Sequence, residues 1–356
     1  MTQPNTQPSN VQTTPAVALW LGGVAVLVFG MVVVGGITRL TDSGLSMVEW
    51  RPLMGAFPPI TDSEWQRLFA LYQQSPEGRL INPNLSLAGF KWIFFWEYMH
   101  RLLGRVIGLV YAVPMLWFAW RGELATMHSH QPPHQHVRYR FRLPWRYGFI
   151  FLLGAAQGVI GWWMVKSGLV DVPEVAPYRL AVHLGLALLI LALLIWGLCD
   201  CVYGSAPAPR LIPPSLPAIV FILLAITILA GGLVAGLGGG LVYNQYPLMG
   251  TGFIPPEYGF NGWRDPFTNP PTSQFHHRWL AAITAISIVC LAWRTWRVGL
   301  WGRGGVMVIA VACQFILGIL AVLYAVPFHL AILHQAVAAV LLASVVWGCH
   351  GLAKHS

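Results

Sequence analysis

VALWLGGVAVLVFGMVVVGGI (17–37) runs without one charged side chain and closes on a glycine pair. A membrane-crossing helix needs about 20 apolar residues to traverse roughly 30 Å of hydrocarbon, and this stretch is long enough. Seven more follow, at 91–120, 147–165, 179–198, 216–236, 275–293, 304–326 and 328–348. Composition points the same way. Of the 356 residues, 56% are hydrophobic and 9% charged, against roughly 25% charged in a soluble domain. Soluble enzyme, disordered chain and disulfide scaffold are excluded. An all-α polytopic membrane protein with eight transmembrane helices is expected. The first stretch does not read as a cleavable leader, since no Lys or Arg precedes Arg39. The five Cys, at 199, 201, 290, 313 and 349, lie in mostly apolar context and form no disulfide framework.

The net charge of +9 orients the helices rather than recruiting nucleic acid, because Lys and Arg stay on the cytoplasmic side. The side holding both termini carries Arg121, Arg138, Arg140, Arg142, Arg146, Arg210, Arg294, Arg297, Arg303 and Lys354 against Glu123 and Asp200. On the other side acids and bases nearly balance. Both termini are therefore expected in the cytoplasm of a cell inner membrane. The two long connections, 38–90 and 237–274, then face the periplasm.

The chain also repeats itself. RPLMGAFPP (51–59) returns as YPLMGTGFIPP (246–256), each after a Gly-rich helix end. EYMHRLLG (97–104) is echoed by QFHHRWLA (274–281), and GAAQGVIGWW (154–163) by VACQFILGIL (311–320), with Gln157 matching Gln314. RLAVHLG (179–185) is echoed by HLAILHQ (329–335). Four ordered matches give two tandem, pseudo-symmetric four-helix bundles of the same orientation, a parallel repeat about the membrane normal. The expected units are 1–16, a disordered N-terminus; 17–210, the first bundle; 211–350, the second; and 351–356, a tail.

The repeat selects His100, His183, His277 and His334 from twelve histidines. Each stands near the outer end of an even-numbered span, so the four share one depth. A polar side chain there is costly unless it is bonded, and imidazole is the commonest metal ligand. Two per half, on two facing helices, is the arrangement that bis-histidine haem ligation needs. A hydrogen-bonded core histidine is the plainer reading of any one of them; repetition favours haem. Bare zinc fits less well, because no further ligand recurs beside each pair. On the second span (91–120), Gly104 and Gly108 share a broad face with Glu97, either as a flat seat for a porphyrin or as small-residue helix packing.

One difference between the halves is informative. Glu97, three residues before His100, has Gln274 as its counterpart before His277. An acid inside a span is a functional candidate, so the first half is expected to do chemistry, with Glu97 handling protons. An i, i+4 ion pair from Glu97 to Arg101 is the structural alternative. Arg101 and Arg278 follow matched histidines and are candidates for haem propionates, as are Arg39, Arg51, Arg79, Lys91 and Arg179 at the rim.

GGITRLTDSGLSMVEWRPLMGAFPP (35–59), EYMHRLLGR (97–105), FHHRWLA (275–281) and the His183 and His334 helices resemble the haem A synthase family, in the variant shared by proteobacteria and mitochondria. The resemblance covers the chain from the first helix to the last. It implies conversion of haem O to haem A, by successive oxidation of the porphyrin C8 methyl to a formyl through a geminal diol. It implies haem b on His277 and His334, the substrate porphyrin on His100 and His183, and an essential glutamate matching Glu97. It also implies two partners, a haem O synthase upstream and the haem-copper oxidase assembly machinery downstream, besides an electron donor and membrane lipid. Some members carry a Cys pair in the first outward loop; 38–90 has none. A di-haem b electron carrier and a non-catalytic haem-binding assembly factor are the competing functions. The acid at 97 favours the enzyme. HSHQPPHQH (128–136) reads as a solvated loop, His276 as a neighbour of the site and His329 as interfacial.

Overall fold

The structure is a computed structural model describing residues 15–49, 55, 57–126, 143–170, 173–205 and 215–355. Eight long helices carry the chain: α1 (Pro15–Leu40), α2 (Leu87–Trp120), α3 (Trp145–Lys166), α4 (Pro177–Tyr203), α5 (Leu216–Gly236), α6 (Pro270–Arg297), α7 (Trp301–Leu323) and α8 (Phe328–His355). Each is long and apolar enough to cross a membrane. No strand occurs among the described residues. The His-rich segment 128–136, Arg51, the join between the expected bundles at 210 and nearly all of the expected N-terminal tail lie outside the described residues.

The helix ends differ from a reading by apolar run alone, for local reasons. The seventh span was expected to reach 326 and stops at Leu323. Ala325 and Val326 both adopt φ of 56°, and Val326 N–H turns back to Ala321 O at 2.7 Å. A β-branched residue in that region is strained, and Gly240 makes room for it, since a Cβ there would stand 2.7 Å from Val326 Cγ2. The second span starts at Leu87 rather than 91, because Ser86 Oγ accepts from Gly89 N–H at 3.1 Å as an N-cap. The sixth starts at Pro270 rather than 275; a proline at the first turn is preorganised for helix. The polar Thr272, Ser273 and Gln274 that hid this start from hydropathy are buried under the second long connection.

Helix pairings in the first quartet recur in the second. α1 packs on α2 and α4, α2 on α3, and α3 on α4; α5 packs on α6 and α8, α6 on α7, and α7 on α8. The quartets meet through α4–α5, α1–α8 and α4–α8, the set a two-fold relation produces. The close-packed core lies toward the end of the bundle that carries the chain termini. There Leu21, Leu194, Val220, Ile288, Leu291, Met307 and Val345 are fully or almost fully buried. At the same end Asp200 (α4) accepts from Arg146 of α3 at 2.7 Å and pairs with His350 of α8 at 3.0 Å, tying the quartets together.

The two long connections cover the opposite end. In the first, helices Asp62–Gln73 and Pro76–Leu80 dock on α2 through Tyr72, Phe90, Ile93 and Phe94. Arg67 binds Glu49 through two bonds of 3.0 Å and also binds Glu64, fastening helix to loop. In the second, Asp265 accepts from Thr272 Oγ1, from Asn269 Nδ2 at 3.0 Å and from the N–H groups of Gly259 and Asn261 at 2.7 and 3.1 Å. Burial opposes charge on Asp265, yet these bonds prevail and hold its carboxyl down at about 2.

Candidate functional site

The four histidines selected by the repeat all project inward beneath the long connections, each toward a glycine on the neighbouring helix. A Cβ built on Gly35 (α1) would stand 3.1 Å from His100 Cε1 of α2, and one on Gly161 (α3) 3.0 Å from His183 Cε1 of α4. In the second quartet the corresponding distances are 2.9 Å from Gly231 (α5) to His277 of α6, and 3.0 Å from Gly318 (α7) to His334 of α8. Carbon atoms in ordinary contact stand about 3.5–4.0 Å apart, so each imidazole occupies space that only glycine leaves open. Four equivalent cradles in four helix pairs make this a built feature of the fold.

The His100 and His183 rings face one another with centroids 6.5 Å apart and planes inclined by 28°. Two imidazoles binding one metal from opposite sides at about 2.0–2.1 Å would stand with centroids roughly 6 Å apart. His334 lies within electrostatic reach of His277. Nδ1 of His277 bonds Thr227 O at 3.1 Å, the backbone anchor typical of a ligating histidine. Nδ1 of His100, His183 and His334 is buried without a partner. The matched glutamines address the matched histidines: Gln157 Nε2 donates to His183 O at 2.9 Å, and Gln314 Nε2 lies 3.3 Å from His334 Nε2. The glycine cradles of both halves and the 6.5 Å ring spacing of the first pair fit a flat metal-centred ligand between facing imidazoles. Among the described residues, no three His, Cys, Asp or Glu side chains gather around a common point as a metal-ion cage.

Glu97 is 3% exposed on the same helix as His100. Its Oε2 accepts from Ser46 Oγ at 2.6 Å and from Met47 N–H at 2.7 Å, and its Oε1 from Arg101 at 2.5 Å. Arg101 also reaches Met47 O at 3.1 Å. The ion pair considered from spacing alone is therefore present, within a larger clamp that holds residues 46–47 over α2. The second half builds the same clamp without the acid. Arg278 binds Tyr243 O at 2.8 Å, Gln245 O at 2.9 Å and Leu248 O at 3.3 Å, while Gln274 Nε2 donates to Tyr243 O at 3.1 Å. Both arginines expected at propionates thus hold loop carbonyls; Arg278 Nε is buried without a partner. Gly108 has nothing within 4 Å of an added Cβ, and one at Gly104 would meet only Met31 at 3.4 Å. The close seats are the four glycines named above.

Three of the other rim candidates are engaged locally. Arg39 pairs with Asp42 at 3.1 Å, Arg179 donates to Trp163 O at 2.7 Å and stacks on that ring, and Lys91 lies over Trp65. His276 bonds Tyr258 at 3.1 Å, and His329 is exposed at the start of α8. All five cysteines are free. The sequence reading missed Ser46, Met47, Thr227 and the glycine cradles. Gly35, Gly161, Gly231 and Gly318 all lie within the repeated segments, so their recurrence was the available signal.

Residues 18–346 match the family model described as cytochrome oxidase assembly protein (COX15-CtaA). Curated relatives are similar over nearly their whole length, each named heme A synthase. The Caulobacter vibrioides protein is 45% identical over 92% of this chain and 93% of its own. That of Maricaulis maris is 43% identical, covering 93% and 94%, and that of Nitrosospira multiformis is 43% identical, covering 95% and 94%. No solved structure matches.

Proposed function

The chain belongs to the cytochrome oxidase assembly protein family, and from that premise we propose that it is a haem A synthase, a multi-pass membrane oxidoreductase acting on haem O. The reaction is oxidation of the C8 methyl of haem O to a formyl, giving haem A for haem-copper oxidases. Substrate would be held in the first half by His100 and His183, and haem b in the second by His277 and His334. Haem b, when bound, supplies one-electron chemistry. The chain's own residues bind, orient and handle protons. The glycine cradles fix the imidazoles against their neighbouring helices; Gln314 contacts the His334 ring, and Gln157 ties the His183 backbone carbonyl to α3. The clamp at Arg101 fastens the first connection over the site, which keeps bulk water from the reacting edge.

Glu97 takes and returns the protons that methyl oxidation moves, with Ser46, Met47 and Arg101 fixing its orientation. The observation carrying this reading is the contrast between two matched buried positions, Glu97 and Gln274, each beside a loop-clamping arginine, of which one can ionise. A relay passing electrons alone has no use for that acid. The termini are assigned to the cytoplasm and both sites to the periplasmic half of the inner membrane, following the Lys and Arg bias. A haem O synthase supplies substrate, the oxidase assembly route consumes product, and a separate donor provides electrons. The test is Glu97→Gln, with pigments extracted from the purified protein and separated. Haem O should accumulate, haem A should vanish and total bound haem should stay unchanged. Retained haem A formation would overturn the assignment.

A further inference from the structure

α1 and α5 each carry a glycine pair, Gly35–Gly36 and Gly231–Gly232. The first glycine of each pair seats a histidine of its own quartet, His100 or His277. The second meets the other quartet. A Cβ on Gly36 would stand 2.7 Å from Gln335 Oε1 of α8, and one on Gly232 3.0 Å from Ala181 Cα of α4. These are the helices that carry His334 and His183. Gln335 directly follows His334, and Ala181 lies just before His183. Each glycine pair is thus wedged between a histidine of one site and the histidine-bearing helix of the other.

The two joints differ in what fills them. At Gly232 the neighbour is backbone and methyl, with Ala181 Cα and Cβ at 3.0 and 3.2 Å from the built Cβ. Such a contact sets the separation of two helices and leaves no room to adjust. At Gly36 a side-chain amide takes the place, and Nε2 of Gln335 donates to Val32 O of α1 at 2.6 Å. Val32 is buried, and in an α-helix its carbonyl also faces the N–H of residue 36. The amide therefore grips the one turn of α1, 32–36, that contains the His100 seat.

The repeat does not account for this amide. The alignment that pairs His183 with His334 pairs Leu184 with Gln335, and leucine donates nothing. Packing alone would be met by an apolar side chain of similar length. A polar side chain bonding across a helix interface adds direction as well as contact, and here it fixes the register of α8 against α1. Arg39 Nη2 also crosses between the quartets, to Ala235 O, but at 3.4 Å and in an exposed place. The Gln335 bond is short, partly buried and one residue from a histidine of the second pair.

We propose that Gln335 is a positioning residue that joins the two sites: its bond to Val32 O sets the seat of His100 from the helix that carries His334, so that the two imidazole pairs keep a fixed relation. This rests on the haem assignment made above for the four histidines. A one-electron centre and the porphyrin it serves benefit from fixed separation and orientation, as any two groups that must react with each other do. The action of Gln335 runs through α1; the amide moves no proton and makes no bond to a metal.

The test uses the intact, haem-loaded, detergent-purified protein and reads low-temperature paramagnetic resonance, each low-spin signal being assigned by its loss in single His→Ala forms. Gln335→Met keeps the length of the side chain and removes the donor. It should displace the signal lost in His100→Ala, which belongs to the opposite quartet, by more than its line width, with haem per chain unchanged. A role confined to packing would lower the unfolding temperature and leave that signal in place, and this result would overturn the proposal. Gly36→Ala sets a methyl 2.7 Å from Gln335 Oε1. The end of a flexible side chain yields before a helix does, so the same bond should break and the same displacement appear. In a Gln335→Ala background Gly36→Ala should add nothing, because the methyl then meets no amide; additive displacements would count against the joint. Should Gln335→Met not retain haem, this cycle carries the test. Haem A formation enters none of these readouts. Displaced signals without haem A synthesis would refute only the enzyme assigned above, and haem A synthesis with unmoved signals only the joint.

Discussion

Replacing Gly231 by Ala sets a methyl carbon 2.9 Å from His277 Cε1. Carbon contacts relax at about 3.5–4.0 Å, so the ring must retreat by roughly 0.6 Å or more. It cannot pivot freely, because Nδ1 is bonded to Thr227 O on the same helix as the new methyl, at 3.1 Å. Metal–ligand distances tolerate about 0.2 Å. The required retreat is therefore about three times what coordination accepts, and the imidazole leaves the iron. Gly318→Ala makes the same demand of His334 from 3.0 Å. Gly154→Ala and Gly305→Ala are matched controls on α3 and α7, since nothing lies within 4 Å of a Cβ at either position. In a helix the change from Gly to Ala is favourable by up to about 1 kcal/mol, so the cradle variants and the controls differ in the sign of their effect. The assay is haem per purified chain with the reduced-minus-oxidised spectrum. Gly231→Ala and Gly318→Ala should each lose roughly half the haem, the share one metal site of the pair would hold. The controls should lose none. Full haem content and an unaltered spectrum in either cradle variant would refute the reasoning.

Three further outcomes follow from the same geometry. Ser46→Ala removes a 2.6 Å bond to a buried carboxylate; the loss of about 1–3 kcal/mol should appear as a roughly 5- to 150-fold fall in kcat, measured with haem O at saturation, with haem content intact. Asp200→Ala leaves Arg146 and the fully buried His350 without their shared acceptor. It should cost about 3–5 kcal/mol of stability, read as a lowered unfolding temperature in detergent, while the optical spectrum of the folded fraction stays as it was. Burial makes Glu77, on the short helix Pro76–Leu80, bind its proton more tightly folded than unfolded, so the wild type loses stability as pH rises from the ordinary carboxylate range through about 7. Glu77→Gln escapes that loss. Its unfolding temperature relative to wild type should rise between pH 5 and pH 8, by the equivalent of up to about 3 kcal/mol, and a pH-independent difference would contradict the burial argument.

The spans were legible because apolar length is a property of the linear chain. Their ends were less so, because Ser86, Val326 and Thr272 act through capping, a left-handed turn and burial beneath a loop. The histidine quartet was legible only through the internal repeat; neither spacing nor composition separates His277 from His276. The glycine cradles recur in the same repeated segments, yet their purpose needs the knowledge of which neighbouring helix faces which ring. The Arg101–Glu97 pair follows from i, i+4 spacing. Ser46 meets Glu97 across 51 positions of chain, and Glu77 sits in a polar loop with no periodic pattern, so neither gave a signal before the loop was seen packed on α2.

The most direct measurement of the central claim is the low-temperature paramagnetic resonance spectrum of the purified ferric protein beside its four single His→Ala forms. Two low-spin signals are predicted, one lost with His100→Ala or His183→Ala and the other with His277→Ala or His334→Ala. A signal that survives replacement of both members of its assigned pair would contradict the account.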